Sequence, residues 1–405
     1  LTSVRDRPDG GGPVEPDGPP THDSDPNGTG GEIRNLIATL SDRRNSDRHL
    51  LPRLAAGLAD ADDESRKMAL AVLAAYGERA SQYADVIADS VHAVARSDDT
   101  TADTFAWTMA AMRDDRCLPV LRRRVLTGHF TYRTARVYFP RAFEGFDPPT
   151  LGEVLTPLVA HSGELLEPLL RLVAAPTTSD RAKEQVLSAL GEWGGRASPG
   201  APEVASLLGS SPGVDAAAAD VLAAVGPGVS DPVVDRIDAY LAGDAPAGLE
   251  VAYARWRITG ESEPALGALG AAVEAGRGYY LGHLARMGAV AHRHIPAVRR
   301  FLAQRLNTRV EAVHALWMLG DDVPEAPAIL TEAVRPLAQG FSAPYVTPAL
   351  RYTAEMGTLS GEAADILATA VASPRRLDGL HGGWRLIAED HEVQSLARSA
   401  LTHAR

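Results

Sequence analysis

The chain has 405 residues, 45% of them apolar and only 5% aromatic, with a formal net charge of −12. That is enough for two or three ordinary domains or one long repeat array, in which small Ala and Leu do most of the packing. The acidic balance disfavours a general nucleic-acid coat, the lone Cys117 excludes a disulfide framework or a cysteine-based metal site, and no apolar run approaches the roughly 18 residues of a membrane span.

Residues 1–31 hold seven Gly, six Pro and six acidic residues against two Arg. Such a segment buries too little apolar surface to offset its ordering entropy, so a disordered Gly/Pro/Asp-rich tail is expected. The segment has no basic-then-apolar signal pattern, and the expectation is a cytoplasmic protein. The chain begins with Leu1, which leaves a longer natural chain open.

From Glu32 the pattern turns helical. In the stretch from Asp60, Asp62 or Asp63 can cap a helix on which Met68, Ala69, Val72 and Leu73 recur at helical spacing. Gly77 then stops it, and a second apolar-periodic helix runs through Tyr83, Val86, Ile87 and Val91. Later units repeat the plan. One has Asn307 as cap, Gly320 as stop, and Pro324 or Pro327 near the second helix start, where the first-turn N–H needs no helical partner.

Seven such stops read alike: Gly77, Gly191, Gly226, Gly260, Gly288, Gly320 and Gly357. From Gly191 the steps are 35, 34, 28, 32 and 37 residues, and the gap from Gly77 to Gly191 is 114. A period of this size marks stacked helical hairpins. No stretch alternates with period two long enough for a sheet. Residues 32–405 therefore read as about nine to ten hairpins, reaching on the order of 90 Å end to end at ordinary helix spacings.

The units ADDESRKMALAVLAAYG and NTRVEAVHALWMLG, with Arg66 and Arg309 after an acidic or polar turn, resemble the HEAT-repeat proteins, specifically the bacterial phycobilisome-lyase-like HEAT repeats. The resemblance covers roughly residues 33–405 and lapses between Arg96 and Thr177. It implies an all-α, HEAT-like α-solenoid, a right-handed superhelix of antiparallel helix pairs used mainly for binding other macromolecules. It names no ligand.

Two segments depart from the acidic average. Between Arg113 and Arg141 lie eight Arg, including Arg122, Arg123 and Arg124, interleaved with Phe130, Tyr132, Tyr138 and Phe139. Guanidinium forks beside aromatic faces suit phosphate or carboxylate. The bland alternative is a solvated helix face, since Arg outnumbers Lys by 38 to two along the whole chain. From Ala275 to Val310 there is no acidic residue, but seven Arg, among them Arg293, Arg299, Arg300 and Arg305, and three His, including His294. This stretch points to an acidic protein partner. Asp85, Asp89, Asp231, Asp235, Asp238, Glu261 and Glu263 interrupt any continuous basic track of the kind a duplex needs.

Signals for chemistry are weak. Lys67 and Lys183 do not follow Gly, so there is no phosphate-binding loop, and His292 with His294 alone does not make a metal site. No metal and no cofactor is expected. Cys117 stands near a probable helix start, where a thiolate would be favoured, but no base partner is apparent and a buried thiol is the simpler reading. HEAT-like alkylpurine DNA glycosylases offer the enzyme alternative, because Trp317 and Asp321 match the residue types those enzymes use on a cationic lesion. Asp321 falls in the turn after Gly320, however, where repeats place a cap. His381-Gly-Gly-Trp384 reads as an exposed turn. The leading expectation is a non-enzymatic scaffold or adaptor.

Overall fold

The computed structural model describes residues 29–91, 99–133, 146–243, 248–379 and 382–403. Among them there is no strand, only three isolated bridges, and the protein is all-α. Nearly all of the segment read as a tail lies outside the described residues, but Thr29, Gly30 and Gly31 already belong to the first helix, α1 (Thr29–Asp42).

The next helices are α2 (Asp47–Ala56), α3 (Asp63–Tyr76) and α4 (Ala84–Val91). Asp62 caps α3 by accepting from the Ser65 N–H at 2.8 Å, and Gly77 ends it at φ +52°, a conformation that residues with a Cβ rarely adopt. Arg66 is buried there, its guanidinium tied to the Leu58 and Ala61 carbonyls and, at 2.7 Å, to Asp63. Then come α5 (Asp99–Ala111), α6 (Cys117–Thr127), α7 (Leu151–Leu155) and α8 (Ser162–Ala174). Thr150 and Glu153 close a reciprocal capping box at the start of α7.

The regular middle holds α9 (Asp180–Trp193), α10 (Ala201–Ser206), α11 (Pro212–Val225) and α12 (Asp231–Leu241). Here the expected stop at Gly191 is corrected: α9 runs on to Trp193, and Gly194 at φ +55° ends it. The remaining helices are α13 (Gly248–Thr259), α14 (Glu263–Glu274), α15 (Leu281–Arg286), α16 (Ile295–Arg299), α17 (Leu306–Met318), α18 (Ala326–Val334), α19 (Val346–Met356), α20 (Gly361–Ala372) and α21 (Gly383–His403). Asn307 does not cap α17, since the helix starts one residue earlier and Arg305 holds the cap position. Pro327 does sit in the first turn of α18.

The odd-numbered helices pack on one another: α3 on α5, α7 on α9, α9 on α11, α11 on α13, α15 on α17, α17 on α19 and α19 on α21. The even-numbered ones pack on one another in shorter runs, the longest from α6 to α12. One connected core of buried side chains runs from Ile33 to Ala400.

The two ends meet. The last helix, α21, packs on α3 and α1 as well as on α19. The backbone joins them too: the Arg44 N–H donates to the Pro374 carbonyl at 3.0 Å and the Arg376 N–H to the Asp42 carbonyl at 2.9 Å. The first and last units are therefore neighbours, not some 90 Å apart. The Asp390 carboxylate anchors the junction. It accepts from Arg44 (Nη2 at 2.5 Å, Nε at 3.0 Å), from Arg376 Nη1 at 2.9 Å and from the Leu377 N–H at 3.1 Å. Arg376 also donates to the Tyr76 hydroxyl at 2.7 Å and to Asp47 at 3.2 Å. Burial alone would raise the Asp390 pKa, but these donors and charges hold it below the usual carboxylate range.

Trp384 corrects a second expectation. It is buried, not part of an exposed turn: its ring meets Trp107 edge-on at 4.6 Å and its Nε1 donates to the Asp147 carbonyl at 2.8 Å. Arg385 beside it binds Asp147 at 2.8 Å and also Glu153. His381 lies outside the described residues.

Candidate functional site

The arginines singled out in the sequence are held by neighbouring units. Arg124 is buried, and its fork grips the Asp103 carboxylate through Nε and Nη2, both at 2.8 Å. Its fork is engaged inside the protein. Arg122 lies 3.6 Å from Glu164, and Arg123 also has interactions within the protein. Tyr138 and Phe139 fall outside the described residues. In the acid-free stretch, Arg293 pairs with Glu263 at 3.0 Å, Arg299 with Asp321 at 2.8 Å and with the Asp322 carbonyl, and Arg309 with Glu332 at 3.0 Å. Arg300 donates to the Glu274 carbonyl at 3.1 Å. Arg305 is exposed at the start of α17.

His294 is buried against Gly270, where an added Cβ would collide with the imidazole, and its Nδ1 lies 3.2 Å from Glu274. A stretch without acids in sequence is thus flanked by acids in space.

Trp317 and Asp321, the residues of the enzyme alternative, lie at the C-terminal end of α17 and just beyond it. Arg299 engages the Asp321 carboxylate, and Trp317 is 38% exposed beside His314, with ring centroids 5.9 Å apart. Cys117 opens α6 as expected but is fully buried. Burial, with Asp114 and Asp115 nearby, pushes its pKa up to about 12, so it stays a thiol.

A different cluster stands out, and the sequence reading did not name it. Between α13 and α15 the backbone contact thins and side chains bridge the space. A cavity of about 500 Å³ opens along α9, α11, α13 and α15, and its lining includes Glu192, Asp220, Tyr253, Arg257, His283 and Arg286. A second, of about 450 Å³, lies along the 278–280 turn, α17 and α19, with Tyr279, Asn307, Glu311 and Tyr345 among its walls.

Aromatic rings separate the two cavities. His283 meets Tyr253 edge-on at 4.8 Å and lies 6.0 Å from Tyr279 and 5.8 Å from Tyr280. The Tyr280 hydroxyl donates to Glu250 at 2.9 Å. Tyr279 is 74% exposed, the most open of the exposed large apolar side chains. Further along, His314 stacks on Tyr352 at 3.8 Å, and its Nε2 lies 2.9 Å from Glu355.

The electrostatics of the cluster are lopsided. Asp220 keeps contact with solvent at the cleft surface, but crowding from the adjacent helices and repulsion from Glu250 outweigh the pull of Arg286 and lift its pKa to about 6. Loss of solvation on the covered part of its side chain, with the nearby Asp220 and Glu250 charges, raises the pKa of Tyr279. Burial and the Glu250 hydrogen bond raise Tyr280 to about 12. His283 shifts down, first through burial and then through Arg286, so its ring is neutral at pH 7.

Two features of the sequence point here in hindsight. The step from Gly260 to Gly288 is 28 residues, the shortest of the series, and it contains the adjacent pair Tyr279 and Tyr280. In this short unit α15 has only six residues.

No family model, no curated protein and no solved structure matches this chain.

Proposed function

We propose that this protein is a non-enzymatic, cytoplasmic HEAT-like α-solenoid, a right-handed superhelix of helix pairs whose last helix returns to its first, and that it binds a protein partner along the face formed by α9 to α19. The observation that carries this reading is the row of accessible aromatic and carboxylate side chains around the two cavities. Helical-repeat arrays bind through one continuous face built from successive units. Contiguous exposed aromatics rimmed by polar groups are the chemistry of an interaction surface. The engagement of Asp321 by Arg299 supports a binding role over base excision.

The test is affinity purification of the full chain from its native host with mass spectrometry. Wild type is compared with a double variant, Glu192→Lys with Glu311→Lys, which places a reversed charge in each cavity. A partner retained by wild type and lost by the folded double variant supports this face as the binding surface. Capture of the same proteins by both removes it.

A further inference from the structure

We infer that the rings of Tyr253, Tyr279, Tyr280 and His283, edged by Asp220 and Glu250, form a recognition box for a cationic side chain, an arginine or lysine on an extended basic segment of the partner. This rests on the binding role proposed above and gives it a chemistry.

Three observations carry it. The first is geometric. The four rings come from α13, the 278–280 turn and α15, the three tyrosines lie 4.8–6.0 Å from the central His283, and the group adjoins two cavities. Tyr279, nearly free of cover, offers a face to a ligand. An ammonium or guanidinium over such faces is attracted by the ring quadrupole, more strongly as it is desolvated.

The second is charge. Glu192, Asp220, Glu250 and Glu311 line or edge the cleft, against Arg257 and Arg286. Arg257 spends its Nε on the Ala223 carbonyl at 3.3 Å. The third is the state of the acidic edge. Asp220, Tyr279 and Tyr280 all shift toward their protonated forms, with Asp220 or Glu250 among the causes each time. A carboxylate that stays under-compensated with Arg286 nearby has room for one more positive charge. A bound cation supplies it.

Arg286 sets the direction of the test. If the occupant is a cation, Arg286 repels it and its removal strengthens binding. If the occupant is a phosphate or carboxylate, Arg286 attracts it and its removal weakens binding.

The probes are a nonapeptide of glycine and serine carrying three arginines and the same peptide carrying three glutamates. Each is titrated calorimetrically into the full chain at about 0.15 M salt, near a Debye length of about 8 Å. Wild type should bind the arginine peptide and not the glutamate peptide. Tyr279→Ala and Glu250→Gln should each weaken binding about tenfold, the equivalent of about 1.4 kcal/mol. Arg286→Gln should tighten it. Glu203→Gln, an exposed site on α10, should change nothing, which separates the box from general attraction to an acidic protein.

Below pH 6 the wild-type affinity should fall as Asp220 takes up its proton, and Asp220→Asn should flatten that fall. The groups that face Asp220 over this range are Glu250, Arg286, His283, Tyr279, Glu192 and Arg257. Circular dichroism controls for folding. The inference is overturned if wild type does not bind the arginine peptide, if Tyr279→Ala and Glu250→Gln bind like wild type, or if Arg286→Gln loses affinity while the glutamate peptide binds. The two proposals fail separately. A partner captured from the host equally by wild type and by Tyr279→Ala leaves the binding role standing and removes the box.

Discussion

Replacing Asp390 with alanine tests the closure of the chain. The carboxylate is fully buried between Arg376, whose side chain is 1% exposed, and Arg44, at 11%. Its removal deletes the three closest N–H contacts from these two guanidiniums, at 2.5, 2.9 and 3.0 Å, and the one from the Leu377 N–H at 3.1 Å. Arg376 keeps Asp47 at 3.2 Å and the Tyr76 hydroxyl and Leu40 carbonyl, both at 2.7 Å, while Arg44 is left without a carboxylate and keeps only the Ala370 and Ser373 carbonyls. Stranding a buried charge in this way costs about 3–5 kcal/mol. The expected result of urea unfolding followed by circular dichroism is a loss in that range. The comparison is Glu32→Ala, which removes a pair with Arg53 whose side chains are both more than half exposed and should lose well under 1 kcal/mol. Hydrogen exchange should show protection falling in α1, α3 and α21 first, with α9 to α13 unchanged. A loss under about 1 kcal/mol, with α21 as protected as before, would refute the claim that the junction depends on this network.

Three further outcomes are expected. His391 packs edge-on to Tyr76 at 5.0 Å, and burial, with Arg376 and Arg79 nearby, lowers its pKa to about 4. A lowered histidine contributes stability that is complete above its unfolded pKa of about 6.5 and is lost as pH falls toward 4, here about 3 kcal/mol. Asp47, raised by burial, acts in the opposite sense. Chemical denaturation between pH 7 and 4 should show the loss, and His391→Phe should remove most of it. Reversing Arg299 and Arg300 to glutamate should lower the melting temperature, because new acids then face Asp321, Asp322 and Glu325, and added salt should recover part of the drop; an unchanged melt at low salt contradicts the pairing. Trp317→Ala should cost clearly less than the roughly 3–5 kcal/mol typical of a buried Trp, and neither wild type nor Asp321→Asn should excise alkylated bases in a gel assay.

Much of the fold could be read from the sequence because its signals are local. Gly77, Gly226, Gly260, Gly288, Gly320 and Gly357 all adopt positive φ where the helices end, since a left-handed stop needs no information from distant residues. Gly191 misled because Glu192 and Trp193 extend its helix by a further half turn to Gly194. The functional reading depended on charge counted along the chain, and the structure counts it across units. Arg293 finds Glu263 thirty residues away, and Arg299 finds Asp321, so a run of arginine in one unit is balanced by the next. The junction was equally hidden: Arg44 and Asp390 lie 346 positions apart, beyond any periodic pattern. Asp220, Glu250, Tyr253 and His283 lie on three different helices, and no spacing rule connects them.

The return of α21 to α1 and α3 gives the array a fixed number of units. An open stack can gain or lose a repeat at either end, because each repeat needs only its neighbours. Here the last helix arrives within hydrogen-bond distance of Arg44, so an inserted helix pair that moved Asp390 away would break the contacts that join the two ends. Copy number becomes a conserved quantity of the geometry. Lineages of this chain should then vary by substitution and by loop length, with whole-unit insertions selected against, and a variant with one unit duplicated should unfold from its ends in separate steps rather than as one body.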